Sequence, residues 1–386
     1  MLSRRLPPHA ETNALSRAII ERRASGRPII DLTESNPTRV GLRYPPDLLR
    51  VLASEAALRY EPHPFGLASA REAIARDHAR RGVAIDPGHV ILAASTSEAY
   101  TWLFKLLCDP GDAVLVPRPS YPLFEHLTAL EGVRAVPFSL EYHGRWEIDF
   151  GTLEDAPSGV RALIIVSPNN PTGSYVSGRE AAQLFALCGE RGWTLIADEV
   201  FADYPLEVDA PFTDLAAHAD VLAFSLGGLS KSVGLPQLKL AWLVAGGPSE
   251  ACVRALAGLE LIADSFLSVS TPVQIATSTL LECGAAIRAQ VHERVRDNLR
   301  LLRELAQAFP ACEVLRVEGG WSAVIRVPAT RTEDQLILGV LEGEGVVVHP
   351  GYFFDFSREA FLVMSLLPPT ETLREGTLRV LRYVAS

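Results

Sequence analysis

Short apolar segments separated by stretches with helical periodicity dominate the chain from about residue 89 onwards. Each segment is an unbroken run of mostly apolar residues, and each precedes a stretch long enough for a helix. The apolar runs are 89–94, 113–116, 134–138, 162–166, 193–197, 221–224 and 240–244. Continuous apolar strands that alternate with helices are typical of a mostly parallel sheet covered on both faces. The pattern therefore predicts an α/β fold.

The pattern changes after Pro248, where two long helical stretches, 249–263 and 272–309, contain few helix breakers. Strands are predicted near 311–317, 322–327, 346–348 and 361–366, and helices at 333–342 and 371–384. This part of the chain is predicted to form a smaller α+β unit. The first residues are mixed, with helices predicted at 14–23 and 68–81, a short strand at 28–32, and loops at 33–38 and 60–66.

The net charge disfavours some classes of partner, and the cysteine content indicates a reducing compartment. The 386 residues carry 46 acidic and 36 basic side chains, a formal net charge of −10, which disfavours nucleic acid and anionic membranes as partners. Five cysteines lack metal-binding spacing, which is typical of reduced thiols in a cytoplasmic protein. No apolar segment follows the N-terminal arginines, so no signal peptide is predicted, and no run approaches the ~18 residues of a membrane span.

Lysine is scarce, since only three of the 36 basic residues are lysines. A general preference for arginine over lysine explains this scarcity. It also leaves only three candidates for chemistry that needs a lysine amine. Lys231 lies in a loop of small residues, Ser-Leu-Gly-Gly-Leu-Ser-Lys-Ser-Val-Gly, directly after an apolar strand. A lysine in this position is suited to Schiff-base formation with a carbonyl group. The alternative is an ordinary surface lysine.

Three other segments place polar side chains where predicted strands end. Ser-Pro-Asn-Asn-Pro-Thr-Gly, at 167–173, follows one strand and presents the amide of Asn170, or else forms a plain turn. Asp198 ends another strand. A carboxylate in this position is either a cap with its hydrogen bonds satisfied or the partner of a buried cation, such as a protonated ring nitrogen. Ser95, Thr96 and Ser97 lie where a strand meets a helix. Hydroxyl groups at this position either bind a phosphate or simply cap the N-terminus of the helix.

In this order and spacing, the four segments resemble the class I/II aminotransferases, the pyridoxal 5′-phosphate (PLP) enzymes of fold type I. The resemblance covers nearly the whole chain. It implies a mostly parallel sheet of the seven-stranded type in a large PLP-binding domain, residues 46–280. The smaller α+β domain is then formed by residues 1–45 and 281–386.

The resemblance implies specific roles for the candidate residues. Lys231 is the lysine that forms the Schiff base with PLP and later acts as the base in the proton shift. Asp198 pairs with the pyridine nitrogen and keeps the ring protonated, so that the ring remains an electron sink. Asn170 contacts the ring O3′ and the substrate carboxylate. The implied phosphate ligands are Ser95, Thr96, Ser97, Ser230 and Lys239.

Other implied roles concern the ring, the neighbouring subunit and the substrate. Tyr121 stacks on the ring, and Tyr60 reaches the phosphate bound by the neighbouring subunit, which requires a homodimer. Ser35 and Asn36 lie in the N-terminal loop that closes over the substrate.

The cofactor end of the site departs from the family pattern at two positions. Phe201 stands where the family has a tyrosine bonded to O3′, which should raise the pKa of the Schiff base; Tyr204 lies nearby in sequence. Lys239 stands where the family has a phosphate-binding arginine. As a Schiff-base residue Lys239 is disfavoured because it begins an apolar strand, and Lys105, in an apolar helix, is expected to be structural.

The largest departure concerns the substrate carboxylate. The family binds this group with an arginine in an Arg-x-Ser motif, but the matching segment here is Phe-Leu-Val-Met-Ser, with Val363 in the arginine position. Arg358 is close in sequence and is an alternative if the alignment is shifted. An absent arginine weakens the expectation of an ordinary α-amino acid substrate.

The predicted function is that of a PLP-dependent aminotransferase, which moves an amino group between an amino acid or related amine and a 2-oxo acid or carbonyl compound by ping-pong chemistry. A lyase, decarboxylase or cyclising biosynthetic enzyme of the same fold is the alternative that Phe201 and Val363 favour. A third reading is a binding or regulatory module with reduced catalysis. The sequence does not identify the amino donor or acceptor.

Overall fold

The computed structural model of the protein describes residues 3, 5, 6, 13–208 and 211–386. Within these residues, the α-helices are α1 Ala14–Ala24, α2 Ala68–Ala79, α3 Thr96–Leu107, α4 Phe124–Glu131, α5 Phe150–Glu154, α6 Gly178–Arg191, α7 Leu215–His218, α8 Leu229–Ser232, α9 Ser249–Asp264, α10 Thr271–Ala306, α11 Glu333–Glu344 and α12 Thr370–Ala385. Short 3-10 helices lie at Pro37–Arg39, Leu48–Leu52, Glu55–Leu58, Pro87–His89, Pro236–Leu238 and Gly351–Phe354.

The strands of the same residues form three sheets. They are β1 Ile30–Asp31, β2 Val90–Ala93, β3 Ala113–Arg118, β4 Arg134–Tyr142, β5 Trp146–Ile148, β6 Val160–Val166, β7 Thr194–Asp198, β8 Ala223–Gly228, β9 Ala241–Gly246, β10 Glu313–Val314, β11 Ser322–Arg326, β12 Val346–Val347, β13 His349–Pro350 and β14 Phe361–Ser365.

The largest sheet has eight strands in the order β2-β9-β8-β7-β6-β3-β4-β5. The five central strands, β8 to β4, run parallel to one another, while β9, β2 and β5 are antiparallel to their neighbours. The predicted mostly parallel sheet is therefore confirmed. The antiparallel hairpin strand β5 was missing from the prediction because the segment around Gly144 alternates polar and apolar residues and contains no continuous apolar run.

Both faces of this sheet are covered by hydrophobic clusters, as the continuous apolar runs predicted. Along β6, Ile164 belongs to the cluster on one face, which includes residues of α3, α4 and α9. Its neighbours Leu163 and Ile165 belong to the cluster on the opposite face, with residues of α5 and α6. Because successive strand residues point to opposite faces, a strand covered on both sides has to be apolar at every position.

The two smaller sheets lie in the C-terminal part of the chain and include one N-terminal strand. One has the order β10-β11-β14-β13 and is antiparallel, and the other pairs β1 with β12 in parallel. The strand predicted at 346–348 corresponds to β12, which pairs with β1, whereas β13 begins just beyond the predicted range and pairs with β14. Helix α10 packs alongside α2 and α12 and connects the large sheet with this region.

Candidate active site

The candidate site lies where the neighbouring parallel strands β6, β7 and β8 end. Their register places Val166, the last residue of β6, opposite Asp198, the last residue of β7, and Asp198 opposite Leu226 of β8. Helix α8, which carries Lys231, follows β8 directly. Open α/β sheets bind their ligands at the carboxyl ends of strands, and a cavity of about 490 Å³ lies at this edge.

Most of the residues expected from the sequence line this one cavity. They are Ser35, Thr96, Ser97, Tyr121, Asn170, Asp198, Phe201, Ser230 and Lys231. These residues are separated by up to about 200 positions in the chain, and the fold brings them together around a volume that suits a cofactor with a small substrate.

Lys231 presents its amine to a wall of aromatic rings. The Nζ atom lies 4.9 Å from the ring centroid of Trp321 and 5.5 Å from that of Phe201. Desolvation lowers the pKa of Lys231 to about 8, and the charge of Asp198 opposes this shift. Within the described residues, the amine makes no hydrogen bond or ion pair. With this pKa about a tenth of the amine is unprotonated at pH 7, far more than for an ordinary lysine, and the neutral amine is the nucleophile for a carbonyl group.

Asp198 faces the same cavity and carries a charge that the surrounding residues do not neutralise. Its Oδ1 accepts a hydrogen bond of 3.2 Å from the backbone N–H of Val200, and its Oδ2 accepts one of 3.1 Å from the hydroxyl of Tyr100. Desolvation nevertheless raises the pKa of Asp198 to about 6. Among the described residues no arginine, lysine or histidine forms an ion pair with it. The site is therefore suited to a ligand that brings a protonated nitrogen to this carboxylate.

The N-terminus of α3 lies at the cavity. Ser95 is the N-cap, and its hydroxyl accepts a hydrogen bond of 3.1 Å from the backbone N–H of Glu98. Thr96 and Ser97 line the cavity together with Ser230. Backbone N–H groups at a helix start, supplemented by hydroxyls, are suited to a phosphate group. Ser95 thus performs the capping role that was the alternative to direct phosphate binding.

Asn170 is held by a rigid turn at residues 167–173. Its Oδ1 accepts a hydrogen bond of 3.2 Å from Ser322 Oγ, on β11. Gly173 has a φ of +73° and closes the turn against the backbone of Gly319. A Cβ atom at Gly173 would lie 2.7 Å from the carbonyl oxygen of Gly319, so this position requires glycine. The turn places the Asn170 amide between the large sheet and the smaller four-stranded sheet.

Four of the expected residues are outside the cavity lining. Asn36 accepts hydrogen bonds from the backbone and side chain of Thr38 at the start of a 3-10 helix. Ser95 is the helix cap described above. Lys239 is exposed in a left-handed conformation with φ of +51°, and Tyr60 is 77% exposed. The role of Lys239 as a phosphate ligand remains a prediction, and so does that of Tyr60, which requires a second subunit.

Residues of the smaller sheet complete the cavity, and the sequence singled out only Val363 among them. Trp321, Ser322, His349, Val363 and Ser365 line it, as does Tyr100 from α3. A signal for Tyr100 was present, because it lies four residues after Thr96 and therefore on the same face of the helix.

The positions that depart from the family pattern also have clear places. Phe201 and Val363 both line the cavity, whereas Arg358 is exposed on a loop. Tyr204 is buried, and its hydroxyl donates to the carbonyl oxygens of Lys231, at 2.6 Å, and Ser232, at 3.2 Å, so it does not replace the hydroxyl absent at Phe201.

The third lysine, Lys105, forms an ion pair with Glu131 on the outside of α3, as expected for a structural residue. No helix in the described ranges 13–208 and 211–386 combines the length and apolar character that crossing a membrane requires.

Comparison with known proteins identifies the family. The family model "Aminotransferase class I and II" matches residues 28–377. Glutamate-pyruvate aminotransferase AlaA of Haemophilus influenzae is 26% identical over 377 residues, which cover 93% of this chain and 91% of that protein. Alanine aminotransferase of Mycobacterium tuberculosis is 28% identical over 378 residues, with 94% and 87% of the two chains covered.

Two solved structures share the fold. Alanine aminotransferase from Pyrococcus furiosus has a TM-score of 0.89 and 22% identity, and covers 100% of this chain and 99% of its own. Aspartate aminotransferase of Thermus thermophilus has a TM-score of 0.86 and 24% identity, with 99% of each chain covered. The predicted fold class and family are confirmed. The chain belongs to the class I and II aminotransferases and is an enzyme that transfers amino groups.

Proposed function

We propose that the cavity binds PLP and that Lys231 is the residue to which the cofactor is covalently attached. The observation that carries this proposal is the placement of Lys231, Asp198 and the N-terminus of α3 around one cavity. Each fits a different part of the cofactor: the amine fits the aldehyde, the carboxylate fits a protonated ring nitrogen, and the helix start with Thr96 and Ser97 fits the phosphate. When bound, PLP supplies the electron sink that stabilises negative charge on the substrate carbon.

The side chains around the cofactor then have distinct tasks. Lys231 Nζ takes a proton from the amino donor and returns it, since a pKa of about 8 allows the amine to act in both directions. Asp198 orients the ring and keeps a positive charge on its nitrogen. Tyr121, which is 48% exposed at the cavity, stacks on the ring, and Asn170 positions the ring and the substrate through its amide.

The reaction is ping-pong transfer of an amino group from an amino acid or related amine to a 2-oxo acid or carbonyl compound. Alanine and glutamate, which appear in the names of the relatives, are the first donors to test. A lyase, decarboxylase or cyclising activity is the second candidate. It is favoured because Phe201 replaces the hydroxyl of the family's tyrosine, and Val363 replaces the charge of the family's arginine.

The experiment that separates these candidates is a half-reaction followed by cofactor absorbance. Holoenzyme is mixed with one amino donor, without an acceptor, and the products are analysed. Amino transfer predicts stable conversion of PLP to its amine form, with an equivalent amount of 2-oxo acid, and reversal on addition of a 2-oxo acid. Release of ammonia or carbon dioxide without stable conversion would instead identify the second candidate. A bound cofactor that no donor converts would contradict both and favour a binding or regulatory role.

The proposed enzyme is a cytoplasmic homodimer with shared active sites. Five free cysteines are consistent with a reducing compartment. The exposed Tyr60 and the neighbouring Leu58, which is 88% exposed, are suited to a subunit interface, where Tyr60 reaches the phosphate bound by the other subunit. Lys239 is proposed as a further phosphate ligand. We retain the division into residues 46–280 and residues 1–45 with 281–386. It is supported by the pairing of β1 with β12, which joins the N-terminal segment to the C-terminal region.

A further inference from the structure

One face of the small antiparallel sheet forms the substrate side of the cavity. In this sheet Val363 pairs with Val324 on one side and with His349 on the other, and Ser365 pairs with Ser322. Directly paired residues of antiparallel strands share a face, as do residues two positions apart in one strand. His349, Val363, Ser322 and Ser365 therefore lie side by side, and all four line the cavity.

Only two basic side chains of the described chain line this cavity, Lys231 and His349. With Lys231 attached to the cofactor, as the proposed function requires, His349 is the remaining group in the described lining of this chain that can carry a positive charge. Val363, beside it, is uncharged and 2% exposed. Recognition of a substrate anion on this side of the cavity therefore falls to His349 and the neighbouring serine hydroxyls.

The His349 ring is held in an aromatic pocket and is free to bind a ligand. It stacks on Phe353, with centroids 4.9 Å apart and an interplanar angle of 9°, and it meets Phe354 edge-on at 5.6 Å. Neither ring nitrogen forms a hydrogen bond within the described residues. Desolvation lowers the pKa of His349 to about 4, against the opposing charge of Asp31, so the ring is neutral in the empty cavity.

The other titratable groups that line the cavity are either acidic or, in the case of Lys231, attached to the cofactor under the proposed function. They are Tyr100, Tyr121, Asp198 and Lys231.

We propose that His349 binds the carboxylate of the substrate, assisted by the hydroxyls of Ser322 and Ser365, and that the substrates are monocarboxylic amino acids with apolar or aromatic side chains and the matching 2-oxo acids. This proposal rests on the proposed function. The apolar preference follows from the rest of the lining, which includes Trp321 and Phe353. A dicarboxylic substrate would bring a second negative charge to a wall that offers no second basic group, and an unpaired carboxylate is strongly disfavoured there.

Binding a carboxylate at His349 has to be accompanied by proton uptake. The neutral ring gains a proton when the anion arrives, because the ion pair raises the pKa of the histidine above its value in the empty cavity. Carboxylate affinity should therefore decrease as pH rises through the pKa of the complex, because above that pH the imidazole stays neutral and the ion pair is lost.

Calorimetry on the holoenzyme with unreactive ligands tests the proposal. Titration of 3-phenylpropionate at pH 6, in two buffers of different ionisation enthalpy, measures affinity and proton uptake together. The neutral amide of the same acid is the matched ligand, and succinate represents the dicarboxylates. His349→Asn is compared with His143→Asn, a control at an exposed residue of the β4–β5 hairpin.

We expect wild-type enzyme to take up close to one proton with 3-phenylpropionate and to bind succinate more weakly. His349→Asn should weaken 3-phenylpropionate binding about tenfold or more, corresponding to about 1.4 kcal/mol, and remove the proton uptake without changing amide affinity. Unchanged carboxylate affinity in His349→Asn, or equal affinity of the wild type for succinate, would overturn the proposal. The cofactor absorbance reports separately on Lys231, so a variant that binds PLP normally but behaves like wild type in calorimetry contradicts only the role of His349.

Discussion

Lys231 and Asp198 are both displaced towards their neutral forms by the same physical cause. Desolvation lowers the pKa of the lysine to about 8 and raises that of the aspartate to about 6. Their mutual attraction opposes both shifts without removing them. Under the proposed function, the protonated ring nitrogen of the cofactor would be the partner of Asp198, so the buried carboxylate would destabilise the apoenzyme and contribute to cofactor binding.

Substitution of Asp198 by asparagine tests this conflict between stability and function. The pKa of Asp198 is about 6 in the folded state and 3.8 in the unfolded state. Ionisation of Asp198 therefore makes the apoenzyme progressively less stable as pH rises from 3.8 to 6, and the full destabilisation is present above pH 6. Asparagine has no charge to bury. We expect Asp198→Asn apoenzyme to be more stable than wild type at pH 8, on the order of 2 kcal/mol.

Urea unfolding of the two apoenzymes at pH 8 and at pH 4 measures the difference, which should largely disappear at the lower pH. The same variant should lose most amino-transfer activity when loaded with PLP. An Asp198→Asn apoenzyme that is less stable than wild type at pH 8 would contradict this account.

At the scale of secondary structure, the helix that carries Lys231, α8, is only four residues long, and hydrogen bonds to its backbone carbonyl groups support it. Tyr204 donates to the carbonyl oxygens of Lys231 and Ser232, and Arg288 Nε, on α10, donates to Ser232 O at 3.0 Å. Arg288 also forms ion pairs with Asp77 of α2 and with Asp203. The buried polar network therefore connects α2, α10 and the segment after β7 to the orientation of α8.

Removal of the Tyr204 hydroxyl is expected to loosen this support. Tyr204→Phe keeps the ring but removes one donor from each of the two carbonyl groups, of which Ser232 O keeps Arg288, and this should lower the free energy of unfolding by about 1–3 kcal/mol. PLP should also dissociate more readily, because α8 no longer holds Lys231 as firmly. Urea unfolding and cofactor release are the measurements.

Tyr352→Phe is the matched control, because its hydroxyl bonds Asp334 at a surface where the tyrosine is 44% exposed. This variant should change stability by less than about 0.5 kcal/mol. Equal effects of the two substitutions would show that Tyr204 does not support α8.

At the scale of the whole molecule, the sequence predicted every strand of the large sheet except β5, and many of the residues that line the cavity at its edge. The apolar runs correspond to β2, β3, β4, β6, β7, β8 and β9 because a strand covered on both faces carries an unmistakable signal. Asn170, Asp198 and Lys231 were identifiable because parallel strands end at a common edge. These residues lie at the ends of strands or a few residues beyond them, so their positions depend on local order in the chain.

The side of the cavity formed by the small antiparallel sheet was not predictable in the same way. His349 and Trp321 lie about 120 and 90 residues beyond Lys231 in the chain, on short strands and turns with weak patterns of their own. Their place in the cavity depends on the pairing of β11, β13 and β14, and on which face of that sheet is turned inward. A shift of one residue in this register would exchange Val363 for Leu362 or Met364, whose side chains belong to the core on the other face.

The scarcity of lysine allows a direct test of the central claim that Lys231 carries the cofactor. Holoenzyme is reduced with borohydride, digested and analysed by mass spectrometry, so that the modified lysine is identified among the three in the chain. Lys231→Arg and Lys105→Arg are treated in parallel. The account predicts modification at Lys231 in wild type and in Lys105→Arg, and none in Lys231→Arg. Cofactor attached to Lys239 or Lys105 in the wild-type enzyme would contradict it.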